Sequence, residues 1–152
     1  MAYVTAEARQ ELLDTIAEAA TELGTALASV AVAYEELDED SGDALEEQVF
    51  RPLNLALGRA KRTVTEFADR HAMTAPDMPA GHAGPPSRGT RGHLEDAADH
   101  MRAAEDILTE LQDSLSPVEV GDPPLRAGLA EVRERLEPLP GTTEHFVSRF
   151  GR

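Results

Sequence analysis

Cysteine is absent from this 152-residue sequence, and aromatic residues make up only 4% of it. The lack of cysteine excludes disulfide bonds, thiol catalysis and thiolate metal sites. The scarcity of aromatic residues, together with abundant alanine and leucine, favours close-packed helices over a β-sheet. A chain of this length fits one domain and can bury a full core without cross-links.

Neither the N-terminal segment nor any apolar run has the pattern of a signal peptide or a membrane span. A basic start followed by an apolar stretch is missing from residues 1–14. The longest nearly apolar run, residues 26–34, is far shorter than the roughly 20 residues that a spanning helix needs. We therefore expect a soluble, cytoplasmic protein that does not bind membranes.

Basic residues are scarce, because 14 Lys and Arg stand against 29 Asp and Glu, for a formal net charge of −15. Repulsion between this charge and phosphate groups argues against nucleic acid as a partner. The charge is uneven, since residues 1–50 carry 13 acidic residues and one basic residue, whereas residues 51–92 carry three and seven.

Heptad spacing of apolar residues predicts two long N-terminal helices, over about 6–38 and 43–72. Pro52 interrupts the second pattern and should kink that helix or mark a restart. The predicted inward residues are Leu13, Ile16, Ala20, Leu23, Leu27, Val30, Tyr34 and Leu37 in the first helix, and Val49, Leu53, Leu57, Ala60, Val64, Phe67 and His71 in the second.

Proline and glycine separate the later helices. Residues 73–92 hold four prolines and four glycines without apolar periodicity, which predicts a long, flexible loop. A third helix follows at about 92–116 and a fourth at about 123–137, which residues 138–141 separate from a short C-terminal helix. We predict a single all-α domain over residues 1–152, an antiparallel four-helix bundle whose fourth member is broken.

An acidic turn joins the first two predicted helices, with eight carboxylates and no base between residues 35 and 47. When Gly42 is placed at the glycine position of an EF-hand loop, the first ligand position falls on Leu37, which cannot bind calcium. A solvated turn between helices is therefore the better interpretation.

Four of the five histidines lie in or beside the predicted loop. A metal site there would use His82, Asp96 and His100, although the Glu-x-x-His pattern of di-iron bundles is missing from the sequence. Arg88 and His93 have the Arg-x4-His spacing of some helical-bundle ribonucleases, but a two-residue match is weak. This loop supports an alternative hypothesis, a bundle, enzymatic or not, that binds a metal or a small ligand. We assign no cofactor and no catalytic residue.

The second predicted helix carries arginines on the side away from its apolar residues. At 100° per residue, Leu55 lies among Arg51, Arg59, Arg62 and Arg70. The first helix has an outward acidic stripe, and both stripes are either solvated faces or parts of an interface with another chain. We predict a non-enzymatic protein that works by protein–protein interaction, including association with itself as a homodimer or larger assembly. The stripe consists of Glu7, Glu11, Asp14, Glu18 and Glu22.

Overall fold

A computed structural model describes the backbone of residues 2–150 and the side chains of residues 5–150. Every regular element in this part of the chain is helical, so the all-α prediction is confirmed. A π-helical turn, Glu46–Phe50, joins α2 to α3, and a 3-10 turn, Pro86–Arg88, precedes α4. The α-helices are α1 (Ala2–Glu35), α2 (Glu39–Leu45), α3 (Arg51–Arg70), α4 (Gly89–Asp113), α5 (Ser116–Glu119), α6 (Pro123–Leu136) and α7 (Leu139–Arg149).

The first helix, α1, packs along α4 and also contacts α3. Its heptad positions are buried as predicted for most of its length, including Leu13, Ile16 and Leu23. Alanines on the same side, such as Ala19 and Ala26, are fully buried, and their small side chains allow the neighbouring helices to approach closely. Tyr34 and Leu37 at the end of this pattern are less buried than the heptad predicted, because the helix ends at Glu35.

An aspartate in the turn after α1 caps the next helix. The Oδ1 atom of Asp38 accepts a hydrogen bond of 2.7 Å from the Ser41 backbone N–H at the start of α2. Gly42 is buried inside α2, where an added Cβ would lie 3.3 Å from Cε2 of Tyr34. The missing side chain at Gly42 therefore leaves space for the Tyr34 ring, and the residue does not form the turn between the helices.

Pro52 lies at the start of α3, directly after a widened helical turn. Proline has no backbone N–H to donate to the carbonyl of residue 48. Just before it, the Arg51 N–H donates to the Glu46 carbonyl, five residues back, which is the bonding pattern of a π-helix. The helical path thus continues from residue 39 to residue 70 through an expanded turn at the position where the sequence predicted a kink.

The other side of the core is formed by α3 with α6 and by α4 with α7. Phe67, Met101 and Phe146 are among its largest fully buried side chains. The contact between α3 and α6 is close, because a Cβ added to the buried Gly128 would lie 2.3 Å from Oγ1 of Thr63. A glycine is required there by the packing of the two helices.

The proline- and glycine-rich segment is shorter and better anchored than the predicted flexible loop over residues 73–92. The 3-10 turn and α4 take up residues 86–92, which leaves residues 73–85, called the strap below, without helical structure. Gly81 crosses α1 so closely that an added Cβ would lie 2.4 Å from the Thr25 Cα. Met73, Ala75 and Met78 are partly buried against the core.

The stretch Thr5–Glu35 of α1 is long and apolar enough to cross a membrane, judged by length and composition alone. The sequence predicted no such segment, because its longest nearly apolar run covers only residues 26–34. Half of the most apolar 18-residue window is buried against the rest of the protein, and buried core helices of soluble proteins meet the same criteria of length and composition. The cytoplasmic location remains a prediction.

Candidate interaction surface

The solvent side of α3 presents an apolar residue between two arginines that have no partner among the described side chains. Leu55 is 51% exposed, and the side chains of Arg51 and Arg62 are also exposed. Neither arginine forms an ion pair or hydrogen bond with the side chains of residues 5–150. Because residues 51, 55, 58 and 62 recur at helical spacing, they share one face, which we call the α3 face (Arg51, Leu55, Gly58 and Arg62).

Gly58 completes this face, and no close contact with the described residues requires a glycine at this position. It lies in the interior of α3, where glycine costs about 1 kcal/mol of helix stability relative to alanine. A Cβ added there would meet nothing within 4 Å. By contrast, Gly128 is required by its close contact with Thr63. The α3 face therefore includes a shallow notch beside Leu55 that this chain does not fill.

Arg59 and Arg70, which we predicted to belong to the partner-binding surface, each pair with an acidic residue in or beside α6. Arg59 Nε lies 2.5 Å from Glu131 Oε2 on α6, and the arginine side chain is only 17% exposed. Arg70 binds both oxygens of Asp122 at the start of α6, at 2.8 and 2.7 Å. Both arginines thus fasten α3 to α6 through their ion pairs with Glu131 and Asp122.

Asp122 is the centre of the larger of these two contacts. Besides Arg70, its carboxylate accepts a hydrogen bond of 2.9 Å from the Leu125 N–H, and so caps α6. His71 Nε2 lies 3.0 Å from Asp122 Oδ2. Hydrogen bonding from Arg70, and secondarily from Leu125 and His71, lowers the pKa of Asp122 to about 2.

The acidic stripe of α1 remains largely unpaired. Glu7, Glu11, Asp14 and Glu18 are exposed, and none of them pairs with a basic side chain in the described part of the protein. Glu22 differs from them, because its Oε2 lies 2.6 Å from His100 Nδ1 of α4. We call the four unpaired acids the α1 face.

The alternative metal ligands do not come together. His82 is exposed on the strap, Asp96 is held by Arg88 at 3.1 and 2.7 Å, and His100 bonds Glu22. Across the described residues, no group of three or more histidine and acidic side chains has a geometry that could hold a metal ion. The predicted trio is therefore three separate side chains with different surroundings.

His93 shows a feature that the sequence did not reveal. The residue is fully buried, and neither ring nitrogen has a hydrogen-bond partner. The Glu36 Oε1 atom lies 3.8 Å from His93 Nε2, beyond hydrogen-bond distance. Arg88, five residues earlier in the weak Arg-x4-His pattern, donates hydrogen bonds instead to Asp96 and to the Gly92 carbonyl. The two residues of that pattern therefore do not act as a pair.

The surface that best supports a function is thus the α3 face, together with the α1 face of opposite charge. Sequence periodicity identified the outward position of Leu55, but not which arginines remain unpaired around it. No protein-family model matches the chain, and no curated protein or solved structure is significantly similar to it.

Proposed function

We propose that this chain is a non-enzymatic helical-bundle protein that acts by binding a second copy of itself. The α3 face of each copy would contact the α1 face of the other. The observation that carries the proposal is the pairing of exposed Leu55 with Gly58, a helix-interior glycine for which the chain itself has no steric need. A glycine beside an apolar anchor permits close approach by another backbone.

Charge supports a second copy as the occupant. Among the described side chains, Arg51 and Arg62 flank Leu55 without partners, and the carboxylates of the α1 face have no basic partner. In a two-fold dimer each copy contributes both faces, so every such contact occurs twice. Complementary charge around a small apolar centre also favours the correct partner over others.

We also infer the finer arrangement of the fold, an antiparallel four-helix bundle. Its members would be α1, α2 with α3, α4, and α6 with α7. The chain runs in opposite directions along α1 and α4. Glu22 bonds His100, whereas Glu36, directly after α1, bonds the earlier residue Thr90. The same reversal relates α3 to α6, where residues 59 and 70 bond residues 131 and 122, respectively.

The test of self-association is molar mass measured by light scattering or sedimentation over a range of concentrations. We expect the mass of the wild type to rise toward that of a dimer at high micromolar protein and low salt. Association should weaken in 1 M salt, because the Debye length falls from about 10 Å at 0.1 M to about 3 Å. A wild type that stays monomeric at low salt would contradict the proposal.

Two substitutions and one control locate the interface. Leu55→Glu should keep the protein monomeric, whereas Leu115→Glu, the same change at a leucine that is 59% exposed elsewhere, should leave the mass unchanged. Gly58→Ala should stabilise the helix by up to about 1 kcal/mol and yet weaken the dimer, since the added methyl occupies the notch. If Gly58→Ala stabilised the protein and left association intact, the notch would not be a contact.

A further inference from the structure

An apolar pocket of about 190 Å³ lies where the end of α1 meets the π-helical turn. Ala31, Tyr34 and Glu35 line it from α1, and Glu46 and Phe50 line it from the turn. The chain contains only two tyrosines and four phenylalanines. Two of these six aromatic residues therefore meet at one small surface pocket, together with two carboxylates.

The fold keeps both rings accessible. Tyr34 occupies a heptad position that predicts burial, yet it is 39% exposed, and Phe50 is only partly buried. Gly42 leaves space for the tyrosine ring, because a Cβ there would lie 3.3 Å from Cε2 of Tyr34. The expanded turn between residues 46 and 50 provides the opposite wall, and such π-helical turns occur frequently at functional sites.

The carboxylates of this pocket are available to a ligand. Neither Glu35 nor Glu46 forms an ion pair or side-chain hydrogen bond with the described side chains. They belong to the run of eight carboxylates without a base between residues 35 and 47. Summed negative charge of this kind attracts cations, and aromatic ring faces bind them directly.

We propose that this pocket binds a small organic cation of the quaternary ammonium type. The cation would lie between Tyr34 and Phe50, with Glu35 and Glu46 balancing its charge. The volume is below the roughly 300–1,000 Å³ typical of drug-sized ligands, so the pocket suits a compact headgroup.

Other cations fit this pocket less well. A divalent metal needs several oxygen ligands close together, and no group of acidic or histidine side chains in residues 5–150 offers that arrangement. A primary ammonium must satisfy three N–H donors, whereas the methyl groups of a quaternary ammonium match an apolar, aromatic wall. The acidic run also disfavours a headgroup that carries a phosphate beside its ammonium.

The proposal is tested by calorimetric titration of the purified full chain with choline. We expect saturable binding, clearly weaker binding of phosphocholine, and no binding of 3,3-dimethyl-1-butanol, the uncharged analogue of choline with the same shape. Equal binding of the uncharged analogue would overturn the proposal, because the cation would then be irrelevant. Absence of choline binding at millimolar concentration, or a preference for phosphocholine, would overturn it as well.

Matched variants separate a site from general attraction by an acidic surface. Glu46→Gln should weaken choline binding at least fivefold, and Glu47→Gln, an exposed neighbour outside the pocket lining, should not change it. Phe50→Leu, which keeps an apolar side chain but removes the aromatic face, should weaken binding while circular dichroism stays helical. Equal losses in Glu46→Gln and Glu47→Gln would show that only bulk charge is involved.

Discussion

Asp122 concentrates three interactions on one side chain: the bond to Arg70, the contact with His71 and the cap of α6. Its carboxylate is 19% exposed, so these contacts are partly shielded from solvent. The charged form is favoured in the folded state, where the pKa is about 2, below the usual value of 3.8. A depressed carboxyl pKa contributes stability above pH 4 that is lost as the pH falls toward 2.

The prediction concerns Asp122→Asn, which keeps a side chain able to cap α6 but removes the charge. We expect it to lower the free energy of unfolding by about 1–2 kcal/mol at pH 7. The difference from the wild type should shrink between pH 4 and pH 2, because protonation removes the same charge from the wild type. Urea titrations across this range measure it, and a difference that stayed constant down to pH 2 would assign the loss to something other than the charge.

Residue-level contacts were the least predictable part of the candidate site. Periodicity placed Arg51, Arg59 and Arg62 away from the apolar side of α3. Arg51 and Arg62 are exposed in the structure, whereas Arg59 is partly buried. Periodicity could not show that Glu131 lies beside Arg59, because that contact joins residues 72 positions apart. The burial of His93 was unpredictable for the same reason, since its surroundings include Glu36, which directly follows α1 and is 57 positions earlier in the sequence.

Among the elements, the strap lies in close backbone contact with α1. Gly81 and the Gly24–Thr25 peptide of α1 meet backbone to backbone, so any side chain at position 81 must displace one of them. At Gly84, in the same segment, an added Cβ would lie 3.4 Å from flexible side-chain atoms of Arg88 and Asp96, an ordinary contact. These two glycines form a natural pair of test and control.

We predict that Gly81→Ala loosens the strap, whereas Gly84→Ala does not. The first change should cost about 1–3 kcal/mol of stability, as expected when a tight contact is overfilled, and the second at most about 0.5 kcal/mol. Limited proteolysis should cut Gly81→Ala within residues 73–85 much faster than the wild type. If the wild type were cut there just as fast, the strap would not be held by this contact.

The elements themselves were largely predictable, and the errors have physical causes. Heptad spacing of apolar residues predicted α1 and α3, because a helix that buries one side against its neighbours needs apolar residues every three or four positions. It missed the start of α4 at Gly89, since residues 89–92 carry no apolar side chain and resemble a loop. Pro52 marked the position of the π-helical turn, but a missing N–H does not specify which bonding pattern replaces the lost bond.

At the scale of the whole molecule, composition excludes some classes of function but does not identify one. The net charge of −15 argues against nucleic acid as a partner and favours binding through surfaces of opposite charge. The pocket beside Tyr34 was not predicted, because it requires the end of α1 and the π-helical turn to meet. In the sequence, the acidic turn is explained as a solvated turn and Tyr34 as a core residue of a heptad pattern. Only the fold shows that they lie side by side.

The excess of acidic residues also predicts opposite effects of salt on folding and on association. With 29 acidic and 14 basic residues, repulsion within one chain should outweigh attraction, so salt should stabilise the isolated fold. In the dimer, however, Arg51 and Arg62 would face the α1 face of the partner copy, and salt weakens that attraction. Leu55→Glu separates the two effects because it should remain monomeric.

We expect the melting temperature of Leu55→Glu to rise by about 2–4 °C between 0.05 and 0.5 M salt, which corresponds to about 1 kcal/mol for a chain of this size. The wild type at high concentration should gain less, because salt removes the stabilisation that dimerisation supplies by mass action. Thermal melts of both proteins at two concentrations and two salt levels measure the difference. A melting temperature of Leu55→Glu that fell with salt would mean that internal pairs such as Arg70–Asp122 outweigh the repulsion. An equal rise in the melting temperature of both proteins at every concentration would show that no salt-sensitive dimer forms.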